Sequence, residues 1–404
     1  MKVEITPQKL KGEILVPYSK SYSHRHLIAS FLANSIYRGS YLHSNDILET
    51  INVLNTLSNN FDDVEIELFF GKSASTLRFL IPILLLTNKT YILHMNSELS
   101  KRPLDVYEDL FLSNIVFKKL NNTSILIKGP LSKNTFEIDG SVSSQFISGL
   151  LFALPLQNKD SKIILKTKLV SKSYVDMTIE VLKNYNIEIE ETSYGYFIKG
   201  NQKYKPFLYE IERDFSQAAF WFVAGTINAE IRLLGLNPES IQGDKKIIEI
   251  INQAGGNIKL DNNHYVVFPK KTRGFKVDLD NIPDLGPILF VLAAFSEGVS
   301  EFTNINRLII KESDRLNKMI EVLNSFGVKT NIIFNKLFIE GTNNLKGDIT
   351  LSSYDDHRIL MAIFILASRA TNKVIVHNLE NINKSYPDFL DDYVKLGGKF
   401  NVIK

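Results

Sequence analysis

The sequence predicts an α/β protein of two domains that are built from repeated small modules. Its 404 residues are enough for two or three domains. Four segments that read as strand, polar turn and strand end at Gly129, Gly200, Pro269 and Gly341, so they recur after 71, 69 and 72 residues. Each follows a stretch of helical periodicity. This spacing predicts about six modules, and we expect the first, near Glu65–Gly71, and the last to be degenerate.

The composition excludes several classes of protein. A hydrophobic content of 44% and a charged content of 23% are typical of a globular chain. The net charge of +3 is too small for a general nucleic-acid-binding surface. The absence of cysteine excludes disulfides, a cysteine nucleophile and thiolate metal sites. The N-terminus does not resemble a signal peptide, and no apolar run approaches the ~20 residues that span a bilayer. We therefore expect a cytoplasmic protein without membrane or nucleic-acid partners.

Several predicted helices begin with hydroxyl and basic residues. These starts lie at 19–25, 72–78, 141–145, 171–174, 311–315 and 356–358. Unpaired backbone N–H groups at a helix start bind anions, although ordinary serine capping explains any single case. No P-loop, HExxH or GxSxG motif is present. The recurrence favours a cationic site for small polyanions, where Asp284 and Glu312 could transfer protons.

The motifs carry a family resemblance over nearly the whole chain. The matching segments are SKSYSHR at 19–25, SASTLRFL at 73–80, KRPL at 101–104, DGSVSSQF at 139–146, LVSKSYVD at 169–176, IQGD at 241–244, IPD at 282–284, KESDRL at 311–316, DDHR at 355–358 and KSYPDF at 384–389. In this order they resemble the 5-enolpyruvylshikimate-3-phosphate (EPSP) synthase family. DGSVSSQF, KESDRL and DHR are the specific segments, whereas KRPL or IPD alone would be weak.

The resemblance implies a two-domain inside-out α/β barrel. Each domain has three βαβαββ repeats, and the active site lies in the interdomain cleft. We place the first domain at 17–212 and the second at 1–16 with 213–404. The implied reaction joins phosphoenolpyruvate to the 5-hydroxyl of shikimate 3-phosphate and releases phosphate through a tetrahedral intermediate. It requires neither a metal nor another cofactor, and we expect a monomer.

The resemblance also implies roles for individual residues. The proton-transferring residues would be Lys20, Asp284 and Glu312, in a division of roles that stays open. The shikimate 3-phosphate site would comprise Lys20, Ser21, Arg25, Ser143, Ser144, Gln145, Ser171, Tyr174, Asp284 and Lys311. The phosphoenolpyruvate site would comprise Lys20, Ala74, Arg102, Gln145, Arg315, Arg358 and Lys384. Glu380 is the alternative to Lys384 in the alignment.

Structural alternatives remain for several of these residues. Tyr174 could be a core tyrosine, His357 a structural histidine and Asp284 only a helix cap. The set Lys311, Glu312 and Arg315 could be a surface ion-pair set. Arg78 is expected to be structural.

The chain departs from the family pattern beside the phosphoenolpyruvate site. Members usually have Asn-Ala/Ser-Gly-Thr where this chain has Lys72-Ser73-Ala74-Ser75. The extra methyl of Ala74 would narrow the pocket and weaken the binding of glyphosate. His24 replaces an asparagine, and Arg307 stands where many members have asparagine.

Three other functions compete with this interpretation. One is the related enolpyruvyl transfer to UDP-N-acetylglucosamine, whose enzymes commonly carry a loop cysteine that this chain lacks. Another is a non-catalytic anion-binding relative, although anion binding needs no acids. RNA-end processing on a similar repeat fold is disfavoured by the low net charge.

Overall fold

The structure is a computed structural model that describes residues 1–111, 115–208 and 210–403. The chain divides into two compact units. We call Met1–Ser19 with Glu212–Lys404 the discontinuous unit, and Lys20–Ile211 the continuous unit.

The unit boundaries differ slightly from the predicted domain boundaries. Residues 17–19 and Glu212, which the sequence assigned to the first domain, belong to the discontinuous unit. The Ser19 amide donates to the Glu212 carbonyl at 2.8 Å, and Tyr18 forms an antiparallel bridge with Arg213. The two segments at which the chain passes from one unit to the other therefore pair with each other.

Strands and helices are interspersed along the chain. In chain order, the strands are β1 (Lys2–Thr6), β2 (Gly12–Leu15), β3 (Glu65–Phe69), β4 (Thr90–His94), β5 (Val116–Lys119), β6 (Ser124–Lys128), β7 (Thr135–Ile138), β8 (Ser161–Leu165), β9 (Ile189–Thr192), β10 (Gly195–Ile198), β11 (Ile231–Leu234), β12 (Asn257–Asp261), β13 (His264–Phe268), β14 (Lys276–Asp278), β15 (Val299–Thr303), β16 (Lys329–Ile333), β17 (Lys336–Glu340), β18 (Ile349–Ser352), β19 (Val374–His377) and β20 (Lys399–Ile403). The α-helices are α1 (Lys20–Leu32), α2 (Asn45–Asn59), α3 (Ala74–Leu84), α4 (Asp105–Phe111), α5 (Ser144–Ala153), α6 (Lys172–Asn184), α7 (Phe215–Ile227), α8 (Ile247–Gln253), α9 (Gly286–Phe295), α10 (Arg315–Ser325), α11 (His357–Ala367) and α12 (Phe389–Lys395). Short 3-10 helices lie at Leu99–Lys101, Leu154–Leu156, Gly243–Lys246, Pro283–Leu285, Ile305–Leu308 and Leu379–Lys384.

The described strands form five four-stranded sheets with one shared topology. Their orders are β3-β4-β6-β5, β7-β8-β10-β9, β2-β11-β13-β12, β14-β15-β17-β16 and β18-β19-β1-β20. In each sheet the first two strands are parallel and the other pairings are antiparallel. The four predicted strand pairs are β5/β6, β9/β10, β12/β13 and β16/β17, so the prediction of a repeated α/β module is confirmed.

The first and last modules depart from the repeat, as predicted. Glu65–Phe69, where the first strand pair was expected, is β3, the first strand of the next sheet, and the module of α1 and α2 lacks a sheet of its own within the described ranges. The last sheet is completed by β1, which lies between β19 and β20 and aligns Val3 with both Val376 and Val402. The sequence patterns did not reveal this pairing because its strands come from opposite ends of the chain.

The core of the discontinuous unit is built on helices that are apolar on every side. The side chains of α11 are all buried, and those of α9 are buried from Gly286 to Ala294. A helix without a polar face lies inside the protein, so polar residues collect at its ends. Asp284 precedes α9, and Arg358 lies in the first turn of α11. None of the described helices is long and apolar enough to cross a membrane.

Candidate active site

The six segments that we singled out as anion-binding helix starts all begin helices. Lys20, Arg315 and His357 are the first residues of α1, α10 and α11, whereas Ser73, Ser143 and Ser171 directly precede α3, α5 and α6. Side-chain caps explain several of these starts. The Ser73 hydroxyl accepts the Thr76 amide, the Ser143 hydroxyl accepts the Gln145 amide, and the Asp356 carboxylate accepts the Arg358 amide.

In the continuous unit, Lys20 is held by an acid that the sequence analysis missed. The Lys20 Nζ lies 2.9 Å from Asp46 Oδ2, and the two side chains are 15% and 6% exposed. The position of Asp46 in the first turn of α2 is the only sequence signal for it. Because the pair is largely desolvated, Asp46 fixes the position of the Lys20 amine.

A buried chain of hydrogen bonds connects α1, α2 and the start of α3. His24 Nδ1 lies 2.8 Å from Thr50 Oγ1, which lies 2.6 Å from Thr76 Oγ1, and Thr76 Oγ1 lies 2.7 Å from Ser73 Oγ. Burial lowers the pKa of His24 to about 3, so its ring is neutral at physiological pH. The chain ends beside Ala74, which is also buried.

Gln145 is positioned by two partners on α3. Its Nε2 donates to Ser75 Oγ at 2.9 Å, and its Oε1 accepts from Arg78 Nη1 at 2.9 Å. Arg78 Nη2 also donates to the Pro103 carbonyl at 2.7 Å, directly after Arg102 in the chain. Arg78, which we expected to be structural, therefore orients two of the predicted substrate-binding segments.

Arg25 connects α1 to α6 inside the continuous unit. Its guanidinium donates to the Ser21 carbonyl at 2.7 Å, to the Tyr174 carbonyl at 2.8 Å and to the Thr178 hydroxyl at 2.8 Å. Burial lowers the pKa of Arg25 to about 10, which still leaves it charged at neutral pH. Ser171, just before α6, has a left-handed φ of 53°, which is uncommon for a residue other than glycine.

In the discontinuous unit, three cations converge on Asp284. Its Oδ1 lies 3.2 Å from Lys311 Nζ and 3.0 Å from Arg315 Nη1, and its Oδ2 lies 3.2 Å from Arg358 Nη2. Burial alone would raise the pKa of Asp284, but the charges of these cations outweigh it and hold the pKa well below its usual range.

Arg315 is the centre of this arrangement and is only 1% exposed. Its Nε donates to Asp356 Oδ2 at 2.6 Å, Nη1 donates to Asp284, and Nη2 donates to Glu312. The alternative of a surface ion-pair set is therefore wrong for these residues. We call Asp284, Glu312, Lys311, Arg315, Asp356 and Arg358 the Asp284 cluster, in which three cations face three carboxylates.

A further buried acid, Asp244, interacts electrostatically with this cluster. Burial and then the charge of Asp284 raise the pKa of Asp244 to about 6, although Arg358 and a hydrogen bond with Ser216 oppose the shift. Burial also lowers the pKa of Lys311, against the opposing charge of Asp284. The sequence analysis quoted Asp244 only as part of the IQGD segment.

Comparison with known proteins identifies the family. The model of the family described as EPSP synthase (3-phosphoshikimate 1-carboxyvinyltransferase) matches residues 5–393. The chain belongs to the EPSP synthase family. The 3-phosphoshikimate 1-carboxyvinyltransferases of Clostridium novyi and Clostridium acetobutylicum are 39% and 41% identical to it, over 98% of this chain and 97% of each relative. The alignment with the first covers 424 positions, so this 404-residue chain has no residue at 20 or more of them.

Solved structures show the same fold at lower sequence identity. An EPSP synthase from Acinetobacter baumannii matches with a TM-score of 0.80 at 22% identity, over 100% of both chains. The enolpyruvyl transferase NikO from Streptomyces tendae matches with a TM-score of 0.78 at 16% identity, over 99% of this chain and 98% of that one. The resemblance inferred from the motifs and the predicted fold class are therefore confirmed.

Some positions singled out by comparison with the EPSP synthase family are not members of the hydrogen-bond chain from α1 to α3 or of the Asp284 cluster. Lys384, at the end of the 3-10 helix Leu379–Lys384, makes none of the ion pairs found among the described residues. Glu380, its alternative in the alignment, pairs with the N-terminal amine at 2.7 Å. Lys72 forms a half-exposed pair with Glu98. Arg307 donates to the Asp280 carbonyl, but it also acts on the Asp284 cluster, because its charge helps to lower the pKa of Lys311. Within the described ranges, no cluster of His, Asp and Glu has the arrangement of a metal site.

Proposed function

We propose that this protein transfers the carboxyvinyl group of phosphoenolpyruvate to the 5-hydroxyl of shikimate 3-phosphate and releases inorganic phosphate. It would do so in the cytoplasm, on small molecules alone, as a step of aromatic amino acid (chorismate) biosynthesis. Membership of the EPSP synthase family supports this reaction. The observation that carries the proposal is the Asp284 cluster, because it combines cations suited to phosphate with partly buried acids.

The charge balance of the Asp284 cluster suggests how substrate binding prepares the acids. Arg315 and Arg358 bond to carboxylates of the protein. Phosphoenolpyruvate carries a carboxylate and a phosphate, which are the anions that a guanidinium binds best. As the arginines turn to these anions, Asp284 and Glu312 lose cationic partners. The pKa of Asp284 then rises towards its usual range, and Asp284 becomes a better base.

The proposed proton transfers account for both halves of the reaction. Asp284 accepts the proton of the 5-hydroxyl as that oxygen adds to C2 of phosphoenolpyruvate, and Glu312 gives a proton to C3, which becomes a methyl group. The tetrahedral adduct then loses phosphate as the methyl group returns one proton to Glu312, and the proton that Asp284 accepted leaves with the phosphate. Lys20 assists by stabilising or protonating the leaving phosphate, and its position is fixed by Asp46.

The continuous unit supplies most of the proposed shikimate 3-phosphate site. Ser143, Ser144 and Ser171 lie at the starts of α5 and α6, where hydroxyl groups and backbone amides can bind a phosphate together. The other proposed ligands are Lys20, Ser21, Arg25, Gln145, Tyr174, Asp284 and Lys311. Arg25 already donates three hydrogen bonds within the protein. We therefore propose that its two remaining N–H groups bind shikimate 3-phosphate.

The proposed phosphoenolpyruvate ligands are mainly cations. They are Lys20, Ala74, Arg102, Gln145, Arg315, Arg358 and Lys384. We propose that these cations neutralise the substrates, because roughly six negative charges brought together repel one another unless cations surround them.

A substrate-exchange assay tests the reaction. We expect the purified protein to release phosphate only when phosphoenolpyruvate and shikimate 3-phosphate are both present. Asp284→Asn should lower the rate by about 10²- to 10⁴-fold, as expected for loss of a general base. Asp261→Asn, which breaks only the exposed pair with Arg232, is the matched control and should retain activity.

Other outcomes would assign a different function. Phosphate release with UDP-N-acetylglucosamine in place of shikimate 3-phosphate would identify the related enolpyruvyl transferase. Binding of phosphoenolpyruvate without turnover of either acceptor would identify a non-catalytic anion-binding protein.

A further inference from the structure

The KSYPDF segment at 384–389 contains a buried hydroxyl that is bonded on both sides. Tyr386 is fully buried, and its hydroxyl accepts from Trp221 Nε1 at 2.9 Å and donates to Asp392 Oδ2 at 2.6 Å. Burial and then the charge of Asp392 raise the pKa of Tyr386 well above its ordinary value, so the hydroxyl keeps the proton that it donates. We call Trp221, Tyr386 and Asp392 the Tyr386 anchor. A buried group that both donates and accepts is held in one place, so the anchor fixes the chain at residue 386.

Helix α7 supplies the surface on which this segment is held. The ring of Phe389 stacks on Trp221 with centroids 4.9 Å apart, and the ring of Tyr386 meets Trp221 edge-on at 6.3 Å. Gln217, one turn earlier in α7, donates from Nε2 to the Ser385 carbonyl at 3.3 Å. Since α7 is buried over almost its whole length, it is a rigid support. The residue that directly follows Lys384 is therefore attached to the core of the discontinuous unit.

The 3-10 helix that Lys384 ends is attached to the start of α11. Asn381 Nδ2 donates to Ser353 Oγ at 3.0 Å and to Asp355 Oδ1 at 3.1 Å. Side chains three residues apart lie one above the other in a 3-10 helix, so Lys384 shares the face of Asn381, about 6 Å farther along the axis. Asp355 directly precedes Asp356 of the Asp284 cluster. This register places Lys384 on the face that meets the segment leading into α11.

The same contacts distinguish Lys384 from Glu380, its alternative in the alignment. Glu380 is bonded to the N-terminal amine of Met1, and both groups are more than half exposed. A carboxylate would also repel the anionic groups of phosphoenolpyruvate. Lys384 is a partly buried cation that makes none of the ion pairs found among the described residues, so its charge is available to a ligand.

We propose that Tyr386 is a positioning residue that holds Lys384 in place for phosphoenolpyruvate. The inference rests on the proposed function, which makes Lys384 a ligand of that substrate. A lysine binds an anion as a point charge at the end of a flexible stem and lacks the fixed fork of arginine. The position of its amine therefore depends on the backbone that carries it. Misplacement of a binding group by about 1 Å can lower a rate by about 100-fold.

The variant Tyr386→Phe tests the anchor because it keeps the ring and removes only the hydroxyl. We expect the KM for phosphoenolpyruvate to rise by at least about tenfold, whereas the KM for shikimate 3-phosphate stays unchanged. Calorimetric titration with phosphoenolpyruvate should show the same loss of affinity and needs no turnover. A purely structural defect would reduce the fraction of active protein, and hence the apparent kcat, without changing the KM for one substrate alone.

Substitutions of Asp392 test the anchor from its other end. Asp392→Ala removes the acceptor of the Tyr386 hydroxyl and should reproduce the effect of Tyr386→Phe. Asp392→Asn keeps an acceptor oxygen at the same place and should retain the wild-type KM for phosphoenolpyruvate. Asp391→Ala changes the exposed neighbouring residue of α12 and is the matched control. The emission of Trp221 shows whether each variant is folded, because this buried residue is the only tryptophan of the chain.

A double variant shows whether the anchor acts through Lys384. Lys384→Met alone should weaken phosphoenolpyruvate binding, and adding Tyr386→Phe should weaken it no further. Additive losses, equal changes in the KM for both substrates, or a wild-type affinity in Tyr386→Phe would each overturn the inference. A wild type that binds phosphoenolpyruvate but releases no phosphate would refute the proposed reaction alone, since the calorimetric affinities would still decide the role of Tyr386.

Discussion

Asp244 is buried and Asp284 is 22% exposed, and the pKa values of the two aspartates are shifted in opposite directions. Burial and the nearby charge of Asp284 raise the pKa of Asp244 from 3.8 to about 6. Surrounding cations hold the pKa of Asp284 well below 3.8 despite its burial. At neutral pH, ionised Asp244 therefore destabilises the folded protein, whereas ionised Asp284 stabilises it.

The substitution Asp244→Asn should stabilise the protein at alkaline pH. The contribution of Asp244 to stability is fully present below pH 3.8 and is lost as the pH rises through about 6. A shift of about two pKa units corresponds to about 3 kcal/mol of unfolding free energy. The neutral amide does not ionise, so the variant should exceed the wild type by about 3 kcal/mol at pH 8 but by only about 1 kcal/mol at pH 4.5.

Urea unfolding followed by Trp221 fluorescence measures this difference. Trp221 is the only tryptophan of the chain and is fully buried in α7, so it reports on the discontinuous unit that contains both aspartates. Asp284→Asn is the matched comparison and should lower stability at pH 8, because Lys311, Arg315 and Arg358 would lose their shared carboxylate. An Asp244→Asn protein that is no more stable than the wild type at pH 8, or that gains equally at both pH values, would refute the reasoning.

Three further predictions concern the continuous unit. Ala74→Gly should lower the inhibition constant of glyphosate by about tenfold, which is the effect expected of one methyl-sized group in a binding pocket. An unchanged inhibition constant would contradict the proposal that Ala74 narrows the pocket. Thr50→Val should cost about 1–3 kcal/mol of unfolding free energy, measured by circular dichroism in urea, because the His24 ring loses its hydroxyl partner. Arg25→Lys should cost about 2–4 kcal/mol in the same assay and raise the KM for shikimate 3-phosphate, since lysine cannot reproduce the hydrogen-bonding fork to Thr178 and two carbonyls. A loss below 1 kcal/mol would show that this fork does not hold α1 to α6.

The features that the sequence could predict are those that depend on neighbouring residues. The strand pair Lys329–Ile333 with Lys336–Glu340 follows from alternating side chains around a polar turn. The start of α5 follows from Ser143, whose hydroxyl satisfies an amide two residues away. The family motifs are also short stretches of neighbouring residues. They therefore identified the candidate site residues, but they did not predict which of these residues contact one another.

The partners of those residues were decided by the tertiary structure. Asp284 meets Arg358 across 74 positions, and Arg315 meets Asp356 across 41, because packing of the buried helices brings their starts together. The pKa shifts of Asp244 and Asp284 follow from burial and neighbouring charge, which no spacing in the chain specifies. Likewise, the absence of a four-stranded sheet beside α1 and α2, within the described ranges, becomes recognisable only in the folded chain, because sheet pairing joins strands that are distant in sequence.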